Sequence, residues 1–190
     1  MEKSVRQGCP LSMALFVIYL EPLIREIYHS VTGVLLEDTF FKIVAYADDI
    51  TIIIRSNEEF DKIIEIATHY SDTFGIKLNI KKSAFLRLNN CILGPQLIRE
   101  EKQLKVLGMI LLENWNEMIN KNFNHSIAMC KATINGTGIR NFNFVQKTWI
   151  LNTFVLSKIW YIGQLLPPER HHVDELTRMV MQFFWGSQIF

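Results

Sequence analysis

The chain has 190 residues, 49% of them hydrophobic and 12% aromatic with only five prolines, which excludes a disordered polypeptide and allows a real core. A formal net charge of +1 argues against a whole-surface electrostatic grip on nucleic acid, though it leaves room for a local basic strip. Cys9, Cys91 and Cys130 are odd in number and far apart, which excludes a paired zinc site or disulfide framework.

Reduced, buried thiols fit an intracellular protein, in the nucleus or the cytoplasm. The N-terminus shows no cationic stretch leading into an apolar run and a cleavage site, so secretion is not expected. No membrane span is expected either. Leu11 to Leu20 is too short and stops at Glu21-Pro22, and Trp149 to Leu166 is interrupted by Asn152, Lys158 and Gln164 and reads as a buried helix. Nothing in the sequence sets an oligomeric state.

Taken in chain order, Pro10 opens a helix whose core-facing stripe is Leu11, Ala14, Leu15, Ile18 and Tyr19. Pro22 is expected to kink or break it, with a second short piece running to about Ser30. Gly33 to Leu36 and Thr39 to Ala45 read as strands around a turn at Glu37-Asp38. Phe41 to Ala45 and Ile50 to Ile54 then flank Tyr46-Ala47-Asp48-Asp49, which predicts a tight hairpin with adjacent carboxylates at its tip. Its strands are apolar on both faces, which implies helical cover on at least one side.

Ser56 and Glu59 make a capping-box pattern for the next helix, with Phe60, Ile63, Ile64, Ala67 and Tyr70 at helical spacing and Gly75 as its stop. Helix, strands and helix in this order predict an α+β fold with helices packed on one face of an antiparallel sheet. Ile76 to Leu112 reads as shorter strands broken at Asn89-Asn90 and Gly94-Pro95. From Trp115 onward the pattern is helical, with a loop at Asn135-Gly136-Thr137-Gly138. A long apolar helix follows from Val145 to Leu166, ending before Pro167-Pro168, and another runs from Val173 to Trp185. The domain boundary is placed near Glu113, giving units 1–113 and 114–190.

The acidic hairpin carries the chemistry. Asp is depleted in strands, and a second adjacent Asp adds like-charge repulsion. A bound cation, such as oxygen-ligated Mg²⁺, offsets that repulsion, which points to metal-assisted phosphoryl chemistry. The plainer alternative is that both are turn residues. Arg6-Gln7-Gly8-Cys9-Pro10-Leu11-Ser12 precedes the first helix, where a glycine admits a ligand close to the backbone and free amides can meet an anion. Taken alone, an ordinary helix start explains that segment more simply.

Those segments are joined, in order, by Gly75 with Leu78-Asn79 and Lys82-Ser83, and then by Leu107-Gly108. The series resembles the palm of reverse transcriptases, most closely those of non-LTR (LINE-like) retrotransposons. Leu151-Asn152, Ser157-Lys158, Tyr161, Pro167-Pro168 and Phe184-Trp185 resemble the segment that follows the palm, so the likeness covers nearly the whole chain. It implies a partial polymerase palm at 1–113 and an all-α thumb-like region at 114–190. The implied activity is RNA-directed DNA polymerisation by two-metal nucleotidyl transfer, with an RNA template, a DNA primer and dNTP as partners.

By the same resemblance, Asp48 and Asp49 are catalytic metal residues for two Mg²⁺ ions, which sit about 3.5–4 Å apart in such sites. Tyr46 lines the site near the primer end, and Gln7 and Gly8, with Arg6 nearby, lie beside nucleotide and template. Lys82 resembles the lysine that protonates or neutralises the leaving group, and Leu107-Gly108 the turn that grips the primer. Plainer readings stand beside these: Lys82 as part of a solvated face with Lys77 and Lys81, Tyr46 as core, Gly75 as a C-cap alone, and His171-His172 as surface. Lys121, Lys131, Arg140, Lys147 and Lys158 either track a template–primer backbone or are scattered surface charge.

The chain departs from the family in three ways. A further metal-binding aspartate lies upstream of the Arg6-Gln7-Gly8 motif in the family, whereas only Met1 to Val5 precede it here and none is an aspartate. The fingers, endonuclease and RNase H portions have no counterpart. Met13 stands where the family usually has proline. These departures imply an N-terminally truncated segment whose polymerisation alone is very weak or absent. The alternatives are a non-enzymatic retrotransposon remnant that binds nucleic acid or protein, and an unrelated metal-dependent α+β enzyme.

Overall fold

Pro10 to Ser30 form one helix, α1, in the computed structural model, which describes residues 10–88, 94, 97–137 and 141–186. Pro22 sits inside α1 rather than dividing it. Its ring removes one backbone donor, and burial of Leu20, Leu23 and Ile27 on either side holds the helix through that gap. The buried stripe is also not the expected one. Phe16, Leu20, Leu23, Ile27 and Val31 face the core, whereas Leu11, Leu15, Ile18 and Tyr19 are exposed, Ile18 at 69%. The first half of α1 is apolar all round, so its sequence sets no phase, and the phase is imposed by packing further along.

Two hairpins follow. β1 (Val34–Leu36) and β2 (Thr39–Phe41) pair antiparallel around Glu37-Asp38, as the turn signal predicts. The stretch expected as one strand from Thr39 to Ala45 is split at Lys42, and its second half, β3 (Ile43–Tyr46), pairs instead with β4 (Asp49–Ile52). The Ile53 amide donates to the Lys42 carbonyl at 2.8 Å, which carries the ladder past Ile52.

Helix α2 (Asn57–Phe74) begins at Ser56, whose hydroxyl accepts from the Glu59 amide, and ends at Gly75, with φ of 80° and its amide on the Ser71 carbonyl. The expected capping box is therefore half made, because the Glu59 carboxylate goes elsewhere. Ile43, Ile50, Ile52 and Ile54 pack on Leu20, Leu23, Ile27, Val31, Ile63 and Tyr70, so α1 and α2 cover one face of the β3–β4 ribbon. The class is α+β, but the single antiparallel sheet is not formed. Among the described residues the strands make separate two-stranded ribbons, and in one of them β5 (Ala84–Phe85) and β6 (Arg99–Glu100) run parallel.

A second compact unit begins at Lys102, about a dozen residues before the boundary placed at Glu113. The difference lies in one hairpin, β7 (Leu104–Val106) with β8 (Met109–Leu111), which packs under α3 (Trp115–Thr137). Asn122 on α3 ties them together. Its side chain accepts from the Ile110 amide at 2.9 Å and donates to the Ile110 and Met118 carbonyls at 2.7 and 2.8 Å. Met109 joins Met118, Ile119, Phe123, Ile162 and Leu166 in the adjoining core.

Asn135, Gly136 and Thr137 continue α3 instead of forming a loop, and Gly138 lies outside the described residues. The long apolar helix is realised as α4 (Phe144–Ile150), a π-helical stretch at Leu151–Leu156 and α5 (Ser157–Gly163), which together bury Ile150, Leu151, Val155 and Ile162. Cys130 is sealed beneath it with its thiol on the Val155 carbonyl, and burial raises its pKa against the opposing pull of Lys158.

The last helix, α6 (Arg170–Trp185), overturns one surface assignment. His171 is exposed, but His172 is 0% exposed, stacked on Phe123 at 4.9 Å, with Nδ1 accepting from the Glu169 amide at 3.2 Å. His172, Leu176, Met179 and Phe183 share one helical stripe, a periodicity that could have found it. Burial, and then His171, lower the His172 pKa, while Glu169 and Glu175 oppose the shift.

Two outcomes follow from these contacts. Gly75→Ala must force a side chain into the left-handed region and is expected to cost about 1–2 kcal/mol. Gly136→Ala adds a methyl into open space on a helix and is expected to gain up to about 1 kcal/mol; urea unfolding reads both. The depressed pKa of His172 means that its contribution is complete above the unfolded value of about 6.5 and is lost as pH falls below that. Melting temperature should decline between roughly pH 6.5 and 5, above the carboxylate range. A decline that persists unchanged in His172→Leu would refute this origin.

Candidate functional site

The acidic hairpin owes its geometry to strand alternation. Ile43 lies opposite Ile52 and Ala45 opposite Ile50 on the helix-facing side, so Val44, Tyr46, Asp49 and Thr51 take the other face. Tyr46 pairs with Asp49, which leaves Ala47-Asp48 as a two-residue loop. Ala47 adopts φ of 53°, the left-handed conformation that such a loop demands at its first position. Asp48 is thus at the apex and Asp49 opens β4. Both are exposed, as is Tyr46 at 68%.

Neither aspartate side chain has an ion-pair or hydrogen-bond partner among the described residues. Two adjacent unpaired carboxylates present oxygen donors of the kind a hard divalent cation takes, with substrate oxygens completing the shell. Among the described residues no group of three or more His, Cys, Asp or Glu is placed to hold a metal. The donor set on the ribbon is therefore the two carboxylates and no more.

The other expected residues lie on other elements or outside the described residues. Lys82 lies in the turn after α2, its amide on the Asn79 carbonyl and side-chain oxygen at 3.0 and 3.2 Å, with its own side chain exposed. No ion pair joins it to Asp48 or Asp49. Leu107 and Gly108 form the loop between β7 and β8, with φ of 48° and 88°, and the Leu107 carbonyl accepts from the Tyr161 hydroxyl. That loop belongs to the second unit, and the acidic hairpin to the first. Arg6, Gln7 and Gly8 lie outside the described residues.

Three basic residues of the second unit have partners within it. Lys131 pairs with Glu175, Lys147 donates to the Phe184 carbonyl at 2.9 Å, and Lys158 to the Thr133 hydroxyl at 3.0 Å. Lys121 is exposed, and Arg140 lies outside the described residues. Among the described residues no helix is long and apolar enough to cross a membrane.

One residue near the ribbon had been read only as a helix cap. The Glu59 carboxylate, 9% exposed, accepts from the Thr32 amide at 2.9 Å and the Thr32 hydroxyl through Oε1, and from the Arg55 amide at 2.8 Å through Oε2. Burial raises its pKa, but the Thr32 and Arg55 hydrogen bonds and the Arg55 charge outweigh it and hold the carboxyl below its ordinary value. A cleft of about 350 Å³ between α1 and α2, lined by Glu26, Ser30, Lys62, Glu65, Ile66 and His69, includes no residue of the hairpin.

Comparison with known proteins gives this geometry a family. Over 194 aligned residues the chain is 26% identical to the Transposon TX1 uncharacterized 149 kDa protein of Xenopus laevis. The alignment takes in 96% of this chain and 15% of that protein, so the chain spans well under a fifth of its relative's length. The profile of the family described as reverse transcriptase (RNA-dependent DNA polymerase) matches residues 1–111, more than half of the chain, including the acidic hairpin and Leu107-Gly108. By that match, the chain belongs to the reverse transcriptase family.

Proposed function

We propose that this chain is the palm portion and following thumb-like region of a reverse transcriptase of the non-LTR, LINE-like kind, acting on an RNA template, a DNA primer and dNTP. The observation that carries the proposal is the exposed Asp48-Asp49 pair, unpartnered among the described residues, at the tip of a ribbon inside the matched region. Asp48 and Asp49 would hold Mg²⁺ through their carboxylate oxygens, with nucleotide phosphates completing the shell. Bound there, the ion would supply charge stabilisation to the attacking and leaving oxygens. Tyr46, opposite Asp49 on the same face, borders the primer end.

Lys82 and the Leu107-Gly108 loop take the leaving-group and primer roles in this reading, and Arg6, Gln7 and Gly8 lie beside nucleotide and template. Among the described residues the ribbon offers two carboxylates, and this reading calls for a further one before the site polymerises. The reading as a non-enzymatic binding remnant draws on that same incompleteness.

Primer extension on an RNA template separates the two. The isolated chain is expected to show no Mg²⁺-dependent extension above Asp48→Ala. Joined to an upstream strand that bears an aspartate, it should extend, and Asp48→Ala should then reduce the rate by about 10³-fold, the scale of several kcal/mol of lost metal stabilisation. Extension by the joined chain that survives Asp48→Ala would remove the polymerase reading, and template–primer binding by the joined chain without any extension would favour the remnant.

A further inference from the structure

We infer that Glu59 is a positioning residue for the acidic ribbon, an inference that rests on the metal reading of Asp48 and Asp49. Its carboxylate is the point at which three elements are tied. Thr32 lies two residues beyond the end of α1, immediately before the first hairpin, and Arg55 lies three residues beyond the end of β4. Glu59 itself is in the first turn of α2. One oxygen takes both donors of Thr32 and the other takes the Arg55 amide.

A carboxylate at this helix position commonly folds back onto the amide of the capping residue. Here it reaches one residue further back and across to α1. The cap is completed on one side only, by Ser56, and the second half of the box is given over to the bridge. That exchange makes sense if the exit of the ribbon has to be held against the helices that cover it.

The lever arm decides how much this matters. Ile52 to Asp49 spans about 10 Å of strand at roughly 3.3 Å per residue. A swing of 10–20° at the base therefore moves the tip by about 2–4 Å, whereas productive sites are held to about 0.5 Å. The isoleucines on the inner face restrain the ribbon by contact, but they are only partly buried and leave sliding motions open. Directional hydrogen bonds to a charged acceptor resist such sliding.

Gln is the discriminating substitution. It suits the third helical position as well as Glu and keeps the volume, so α2 survives. It has one oxygen where the clamp uses two, and its amide nitrogen would meet the donor it replaces. Glu59→Gln thus opens the bridge and spares the helix. Ile63→Val, a small truncation in the same core, serves as the comparison.

The experiment measures amide hydrogen exchange across the whole chain together with Mn²⁺ binding, read by paramagnetic broadening at Asp48 and Asp49. In Glu59→Gln, exchange at residues 43–54 should accelerate at least tenfold more than within α2, and Mn²⁺ affinity should fall at least fivefold. Ile63→Val should accelerate ribbon and helices together. If Glu59→Gln does not fold, Thr32→Val removes one donor of the same clamp and should give the same selective pattern at smaller amplitude. Equal acceleration of ribbon and helices in the clamp variant, with Mn²⁺ affinity unchanged, overturns the inference. Mn²⁺ that binds wild type and Asp48→Ala alike overturns the metal reading instead, whatever the ribbon does.

Discussion

One-sided burial of the β3–β4 ribbon is the constraint from which the rest of the first unit follows. Ile43, Ile50 and Ile52 must face α1 and α2, and strand alternation then leaves no choice for Tyr46 and Asp49. A slip of one residue would turn Asp49 into the apolar interface and the isoleucines into water. The two-residue loop completes the arrangement, with Ala47 accepting a left-handed conformation so that Asp48 stands at the apex. Placement of the acids is therefore a by-product of apolar packing on the opposite face.

Three buried polar groups organise the molecule beyond its apolar clusters. Glu59 ties the exits of α1 and β4 to the start of α2. Asn122 serves the β7–β8 hairpin in the same way, satisfying both backbone groups of Ile110. His172 stacks on Phe123 and caps its own helix through Nδ1, while Nε2 has no hydrogen-bond partner among the described residues. The first two are fully satisfied networks that specify one arrangement. Burial of the third disfavours its charged form and depresses its proton affinity.

The second unit is mostly helical, and its exposed aromatic residues are numerous, Trp149, Phe154 and Trp160 among them. They lie on the same helical run that buries Ile150, Val155 and Ile162. Lys147 and Lys158 on the same helical run are held by partners within the unit.

How much of this was legible in the amino-acid order depends on the range of the interaction involved. Short-range signals were readable: the acidic hairpin with its loop, the turn at Glu37-Asp38, the start and stop of α2 at Ser56 and Gly75, and the ordered motifs that placed the chain in its family. Each depends on neighbours within a few positions, where turn chemistry and periodicity act directly. The phase of α1, the split of Thr39 to Ala45 between two ribbons, the side taken by the β7–β8 hairpin, the sealing of His172 and the target of the Glu59 carboxylate were settled only on folding. In each of these the local pattern is compatible with more than one partner. Burial of apolar area and the satisfaction of buried polar groups make the choice, and both depend on residues tens of positions away.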